Sequence, residues 1–284
     1  MTAKAKGKKD PGTGHLFGVR MLERFVEWIR GIFTEKILAF TLKWTKIAGH
    51  YGMVVAAFLG LLFAFIYAIR VNDFFAFLYG IAWFLLVFVV QYTAHKFSDA
   101  GEVLIENNPT RLSSKAFLDC VAFLFLIGGL VLFIVALIGL IQTGDLQMFL
   151  GGLAIAVFFE FVALISFHYS TITVEVVKES TAGQEAIGII TFFLKALLKL
   201  VPVVFGVGIV IGTVMLFINS FGLFGNEMRI ANAWITGNMT ASQILLIGLL
   251  PFISYVVFVL YYLVIDIIRA ILSIPGKLDQ INKK

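Results

Sequence analysis

The chain has 284 residues, of which 60% are hydrophobic and 14% charged, with a mean hydropathy of +0.99; these values exclude an ordinary water-soluble globular protein. The net charge of +5 comes from cations that flank apolar runs, where they meet anionic lipid headgroups, and this excludes reading the basicity as a nucleic-acid surface. A single cysteine, Cys120, rules out an intrachain disulfide and a cysteine-rich zinc site.

In chain order, residues 1–15 are polar and rich in Lys and Gly, and are expected to be a disordered basic tail. Residues 16–40 differ. Leu22, Phe25, Val26, Ile29, Ile32 and Phe33 recur at helical spacing, while Arg20, Glu23, Arg24, Glu27 and Arg30 fall largely elsewhere. This predicts an amphipathic helix lying in the membrane interface; a helix docked in a partner's groove is the alternative. No short apolar segment with a small-residue cleavage site follows the basic start, so no cleaved signal peptide is expected.

Residues 41–274 hold six apolar runs, near 48–69, 74–94, 118–141, 147–169, 196–218 and 243–265. Each meets the length of about 20 residues that a bilayer-spanning helix needs. None alternates as a barrel strand would, so the predicted fold is all-α, a six-span polytopic membrane bundle. All Lys and Arg except Arg70 and Arg229 fall on the side that carries both termini. The positive-inside rule therefore predicts a bacterial inner-membrane protein with cytoplasmic termini, including a tail at 275–284 after the stop at Pro275-Gly276.

A cluster of the form His-x6-Glu-Val-x2-Glu occurs twice at an offset of 73 residues: His95, Glu102 and Glu106, then His168, Glu175 and Glu179. Steps of 7 and 11 residues return to nearly the same helix azimuth, so each cluster is read as one stripe on a helix running beyond the bilayer. The second span is expected to end at Asn107-Asn108-Pro109 and the fourth near Ser180, both about 34 residues long. The offset suggests parallel two-helix repeats, about 74–142 and 147–218, with a third unit split between the termini. The three-unit layout superficially resembles mitochondrial carriers, but their Pro-x-[Asp/Glu]-x-x-[Lys/Arg] signature is absent from every span.

Few residues inside the spans carry chemistry. Glu160 is the one formally charged residue deep within a span, and it reads either as a proton or cation relay or as a neutral acid bonded to a neighbouring helix. If the long helices lie side by side, the two stripes bring carboxylates and imidazoles together, a donor set suited to Mn, Fe or Zn; solvated helix faces are the plainer reading. His and Glu seven residues apart lie about 10 Å apart along a helix, too far to share one ion. His50, His95 and His168 fall at one membrane boundary, as interfacial residues or, less simply, as haem ligands. Lys195 and Lys199 are expected to snorkel to headgroups. The segment 219–242 reads as a loop covering an interface or partner, and Gly208-x3-Gly212 and Ala56-x3-Gly60 as close helix contacts.

No phosphate-cradling loop, His-Glu-x-x-His or nucleophile elbow is present, and no cofactor is expected, with metal or haem as the lesser alternative. The expectation is a non-enzymatic scaffold or subunit of a membrane complex, contacting lipids and other subunits or copies of itself through its cytoplasmic surface. A proton, metal-cation or small-solute transporter using Glu160 is the alternative.

Overall fold

A computed structural model describes residues 17–32, 34–177 and 182–282. The 1–15 tail and Glu179 lie outside the described residues. The chain forms α1 (Phe17–Ile32), α2 (Glu35–Val71), α3 (Phe74–Asn107), β1 (Thr110–Leu112), α4 (Lys115–Thr143), α5 (Leu146–Phe167), β2 (Val174–Val176), α6 (Ala182–Ser220) and α7 (Glu227–Asn282). From α2 onward, six helices are long and apolar enough to cross a membrane.

Short turns fold the six into the hairpins α2–α3, α4–α5 and α6–α7. Asn72 takes a left-handed conformation (φ 55°) and Asp73 caps α3 by accepting from the Phe75 N–H. Gly144, at φ 68°, ends α4 in the conformation that glycine adopts without steric cost. The third turn is a 3₁₀ segment, Phe221–Phe224, after which α7 starts at once. The predicted covering loop at 219–242 is therefore mostly helix. Part of its apolar content packs inward: Trp234 stacks on Tyr67 at 3.9 Å and on Phe63 at 5.9 Å, and Ile230 is buried, while Phe221, Phe224 and Ile235 stay exposed. Arg70 donates to the Gly225 carbonyl and the Arg229 stem packs beside Gly225, so the two cations of the hairpin end converge on this turn.

Helices α2, α3, α6 and α7 make the central bundle. Small residues allow their close approach: Gly60 receives the Trp83 ring, and Gly208 and Gly212 lie under Ile247 and Ile244. Both small-x3-small patterns thus mark helix contacts, α2 on α3 and α6 on α7. One apolar cluster, with Met53, Trp83, Phe205 and Ile244, fills the bundle. A second, with Ile105, Leu112, Ile172, Phe192 and Phe258, lies toward the end that carries the strands. Pro202 in α6 and Pro251 in α7 sit within continuous helix. The predicted stop at Pro275-Gly276 is likewise passed, since α7 reaches Asn282; a proline removes one main-chain bond, and a long helix continues beyond it.

The α4–α5 hairpin stands beside this bundle, joined to it chiefly where α5 meets α6. Within the hairpin, Gly128 faces Phe159 and Gly152 faces Ala136. At its strand end α1 lies across it: Val26 and Ile29 are buried with Ala122 and Phe167, and Arg30 pairs with Asp119 and sits over the Phe167 ring. Met21, Phe25, Trp28 and Ile32 form an exposed apolar stripe on α1, as an interfacial helix requires.

Two connections at the strand end carry β1 and β2, which pair in parallel with Thr110 opposite Val174 and Arg111 opposite Glu175. This overturns the continuous fourth helix. α5 stops at Phe167, a 3₁₀ turn covers Tyr169–Ile172, and β2 follows. The reason is local: Thr171, Ile172, Thr173, Val174, Val176 and Val177 form a β-branched run, stiff at χ1 and better suited to a strand. α3, lacking such a run, extends to Asn107 as the sequence predicts. The 73-residue offset therefore does not align equivalent elements at this end: it matches Val174 with Gly101, which is helical, whereas the strand pairing matches it with Thr110.

Candidate functional site

α5 is apolar on every side, so its one carboxylate stands out physically as well as chemically. Glu160 does not point into the central bundle. It lies on the wall of a groove of about 440 Å³ between α2, α4 and α5, which Leu38, Thr41, Leu130, Phe133 and Leu153 also line. Gly129 of α4 makes room for it: a Cβ there would fall 2.5 Å from Glu160 Oε1. The carboxyl thus lies flat along α4 at a glycine. Among the described residues it forms no ion pair.

His168 lines the same groove at its strand end. Beside it, the Ser170 hydroxyl donates to Glu35 at the start of α2, tying that helix to the turn after α5. A second groove, about 520 Å³ and almost wholly apolar, lies on the other side of α5 against α6 and α7.

The five described residues of the doubled cluster do not converge. α6 packs against both α3 and α5 and separates them. His95 and Glu106 are exposed on α3, and Glu102 lines a crevice between α3 and α6 that Lys199 also borders. His168 begins the 3₁₀ turn and Glu175 sits on β2, so a helical stripe exists in the first copy alone; Glu179 is outside the described residues. Among the described residues, no three His, Cys, Asp or Glu side chains are placed to hold a metal ion. Of the three boundary histidines, His50 and His95 meet edge to face at 5.5 Å, with Asp99 3.8 Å from His95 and paired to Lys46. His168 is elsewhere, in the groove.

Lys195 overturns its expected role. It does not snorkel; it is fully buried, and its ammonium donates to the Ile172 carbonyl at 3.0 Å, the Thr173 hydroxyl at 2.8 Å and the Thr173 carbonyl at 3.4 Å. Thr173 itself is left-handed (φ 53°), costly for a β-branched residue. Its hydroxyl also donates to the Ile105 carbonyl, and its carbonyl accepts the Thr110 N–H. Glu185 accepts from the Ser113 N–H, the Ser113 hydroxyl and the Ser114 N–H, fixing α6 to the start of α4. These residues brace the connections rather than offer a site. The signal for Lys195 in the sequence was its place on an apolar stretch of helix with no acid in register, which is equally the pattern of a snorkelling residue.

The site is thus an open, mostly apolar groove between α2, α4 and α5, with one carboxyl on its wall and one imidazole at its strand end. No protein-family model, curated protein or solved structure matches the chain.

Proposed function

We propose that the protein is a non-enzymatic subunit of a bacterial inner-membrane assembly, with both termini cytoplasmic, and that its working surface is the groove between α2, α4 and α5. The observation that carries this reading is the position of Glu160. Intramembrane acids are costly and are retained facing a partner, water or a protein interior. Glu160 lies half-buried on the wall of an open groove, against Gly129 of α4 and outside the central bundle, where a partner could reach it. The distribution of Lys and Arg supports the orientation.

A conducting path needs several polar groups along it. The central bundle offers an apolar core instead. The transporter reading draws what support it has from Glu160 and His168 sharing one wall, and it becomes secondary.

The experiment places the photoreactive amino acid p-benzoylphenylalanine at Phe133, in the groove, or at Leu62, on the exposed outer surface of α2. After irradiation in native membranes, position 133 is expected to give one adduct of discrete mass, and position 62 a spread of bulk phospholipid adducts. The same spread at both positions would remove the groove as a working surface.

A further inference from the structure

We infer that one ordered water molecule is a structural part of the bundle, held in the narrow crevice between α3, α6 and α7, where it joins the Ser98 hydroxyl to the main-chain carbonyl of Leu198. Three observations support this site, and none of them involves the groove between α2, α4 and α5.

The first is a hydroxyl without a partner. Ser98 is only 6% exposed, and its Oγ is enclosed with no hydrogen bond among the described residues. Buried polar groups are nearly always bonded, to protein or to ordered water. The other buried hydroxyls described on helices follow that rule locally. Ser166, Thr191, Thr213 and Thr240 each donate to the carbonyl one turn earlier, and Ser98 does not.

The second is a carbonyl that its own helix cannot serve. In α6 the N–H of residue 202 would bond the Leu198 carbonyl, but residue 202 is proline and has no N–H. Apolar helices tolerate such a proline where a neighbouring hydroxyl or an ordered water takes up the freed carbonyl. Leu198 lies against α3 about one turn from Ser98, since a Cβ on Gly101 would fall 3.3 Å from the Leu198 Cδ1.

The third is the space between them. Ser98, Leu198 and Pro202 border one crevice of about 10 Å³, with Pro251 of α7 on a further side. A single water needs roughly 10–15 Å³ and two to four polar partners, whereas a lipid chain or a larger ligand needs far more room. The water accepts from the Ser98 hydroxyl and donates one proton to the Leu198 carbonyl. Glu102, one turn beyond Ser98 on the same face of α3, also borders the crevice, and its carboxyl can accept the second proton. Lys199 borders it as well, and its positive charge disfavours a cation in the water's place. The water thus ties α3 to the proline-interrupted turn of α6, and Glu102 of the doubled cluster belongs to a hydration site rather than to a metal centre.

The test is an experimental structure of the full chain in lipid nanodiscs, at a resolution that shows ordered water, together with a double-mutant cycle read by thermal unfolding. Density for one water is expected within about 2.7–3.2 Å of both the Ser98 Oγ and the Leu198 carbonyl oxygen. Ser98→Ala should lower the apparent Tm by roughly 2–4 °C, the worth of one hydrogen bond in a chain of this size. Removing a hydroxyl that had no partner at all would instead leave the Tm unchanged or raise it. Pro202→Ala returns an N–H to the Leu198 carbonyl, and in that background the loss from Ser98→Ala should fall to about half or less. A Tm that Ser98→Ala leaves unchanged or raises, equal losses in the two backgrounds, or no density touching both atoms overturns the inference. Density that disappears in sodium-free buffer marks a cation and overturns it too. Should Pro202→Ala not fold, the density and the sign of the Ser98→Ala shift still decide.

Discussion

Lys195→Ala is expected to be among the most damaging single substitutions in the chain, lowering stability by about 3–5 kcal/mol. Lys195 is completely buried and supplies the donors for the Ile172 carbonyl and both oxygens of Thr173. Alanine removes that donor from the Ile172 carbonyl and the Thr173 hydroxyl, leaves the Thr173 carbonyl with the Thr110 N–H alone, and opens a cavity where the stem was. The node also holds a strained residue, since Thr173 keeps its left-handed backbone only while its hydroxyl and carbonyl are engaged from α3, β1 and α6. Thermal unfolding in detergent, followed by fluorescence-detected size exclusion, should show an apparent Tm lower by roughly 10 °C. Lys195→Met, which keeps the volume and removes the donors, should lie between the wild type and alanine. Adding Thr173→Ala to Lys195→Met should cost little more, because both remove the same network. Full additivity of the two would show that Lys195 acts through packing alone.

How much of this was legible in the sequence depended on which forces decide each feature. The spans were legible because transfer from water to hydrocarbon dominates them, and it is a property of composition over some 20 residues. The amphipathic α1 was legible through the spacing of Phe25, Val26, Ile29 and Ile32, although the structure divides that stripe: Val26 and Ile29 dock on α4 and α5, while Phe25 and Ile32 stay exposed. The doubled His-x6-Glu-Val-x2-Glu cluster misled, because its fixed positions say nothing of the residues between. In the first copy these are Lys96-Phe97-Ser98-Asp99-Ala100-Gly101, which a helix tolerates; in the second they are Tyr169-Ser170-Thr171-Ile172-Thr173-Val174, which favour turn and strand. The β-branched run was visible and outweighed the pattern. The partners of Lys195 were not visible, since a cation at the start of a span looks alike whether it reaches lipid headgroups or main-chain carbonyls 22 and 23 residues earlier. Glu160 was recognisable as the costly residue, but its direction was not. Facing the bundle or facing a groove is set by how α4 and α5 pack, and Gly129 decides it through one missing Cβ.

Gly206→Ala is expected to disrupt the bundle by about 3 kcal/mol or more, out of proportion to one added methyl group. The Cβ would overlap the main-chain carbonyl of Thr45, and no side-chain rotation relieves that clash. Across the same contact, a Cβ on Gly49 would fall 2.9 Å from the Gly206 Cα, so α2 and α6 meet backbone to backbone and must separate. Gly151→Ala provides the control, because a Cβ there meets nothing within 4 Å; the change should be neutral or slightly stabilising through helix propensity. The contact also bears on the groove. Thr45 donates to the Thr41 carbonyl one turn away, and Thr41 lines the groove wall opposite Glu160. Moving α2 off α6 at Thr45 therefore shifts that wall. In protein that still folds at low temperature, Gly206→Ala should weaken the discrete adduct at position 133, while Gly151→Ala leaves it intact. A destabilised variant with an unaltered adduct would mean that α2 is a passive wall, and that the α4–α5 hairpin, with Glu160 lying on Gly129, holds the occupant by itself.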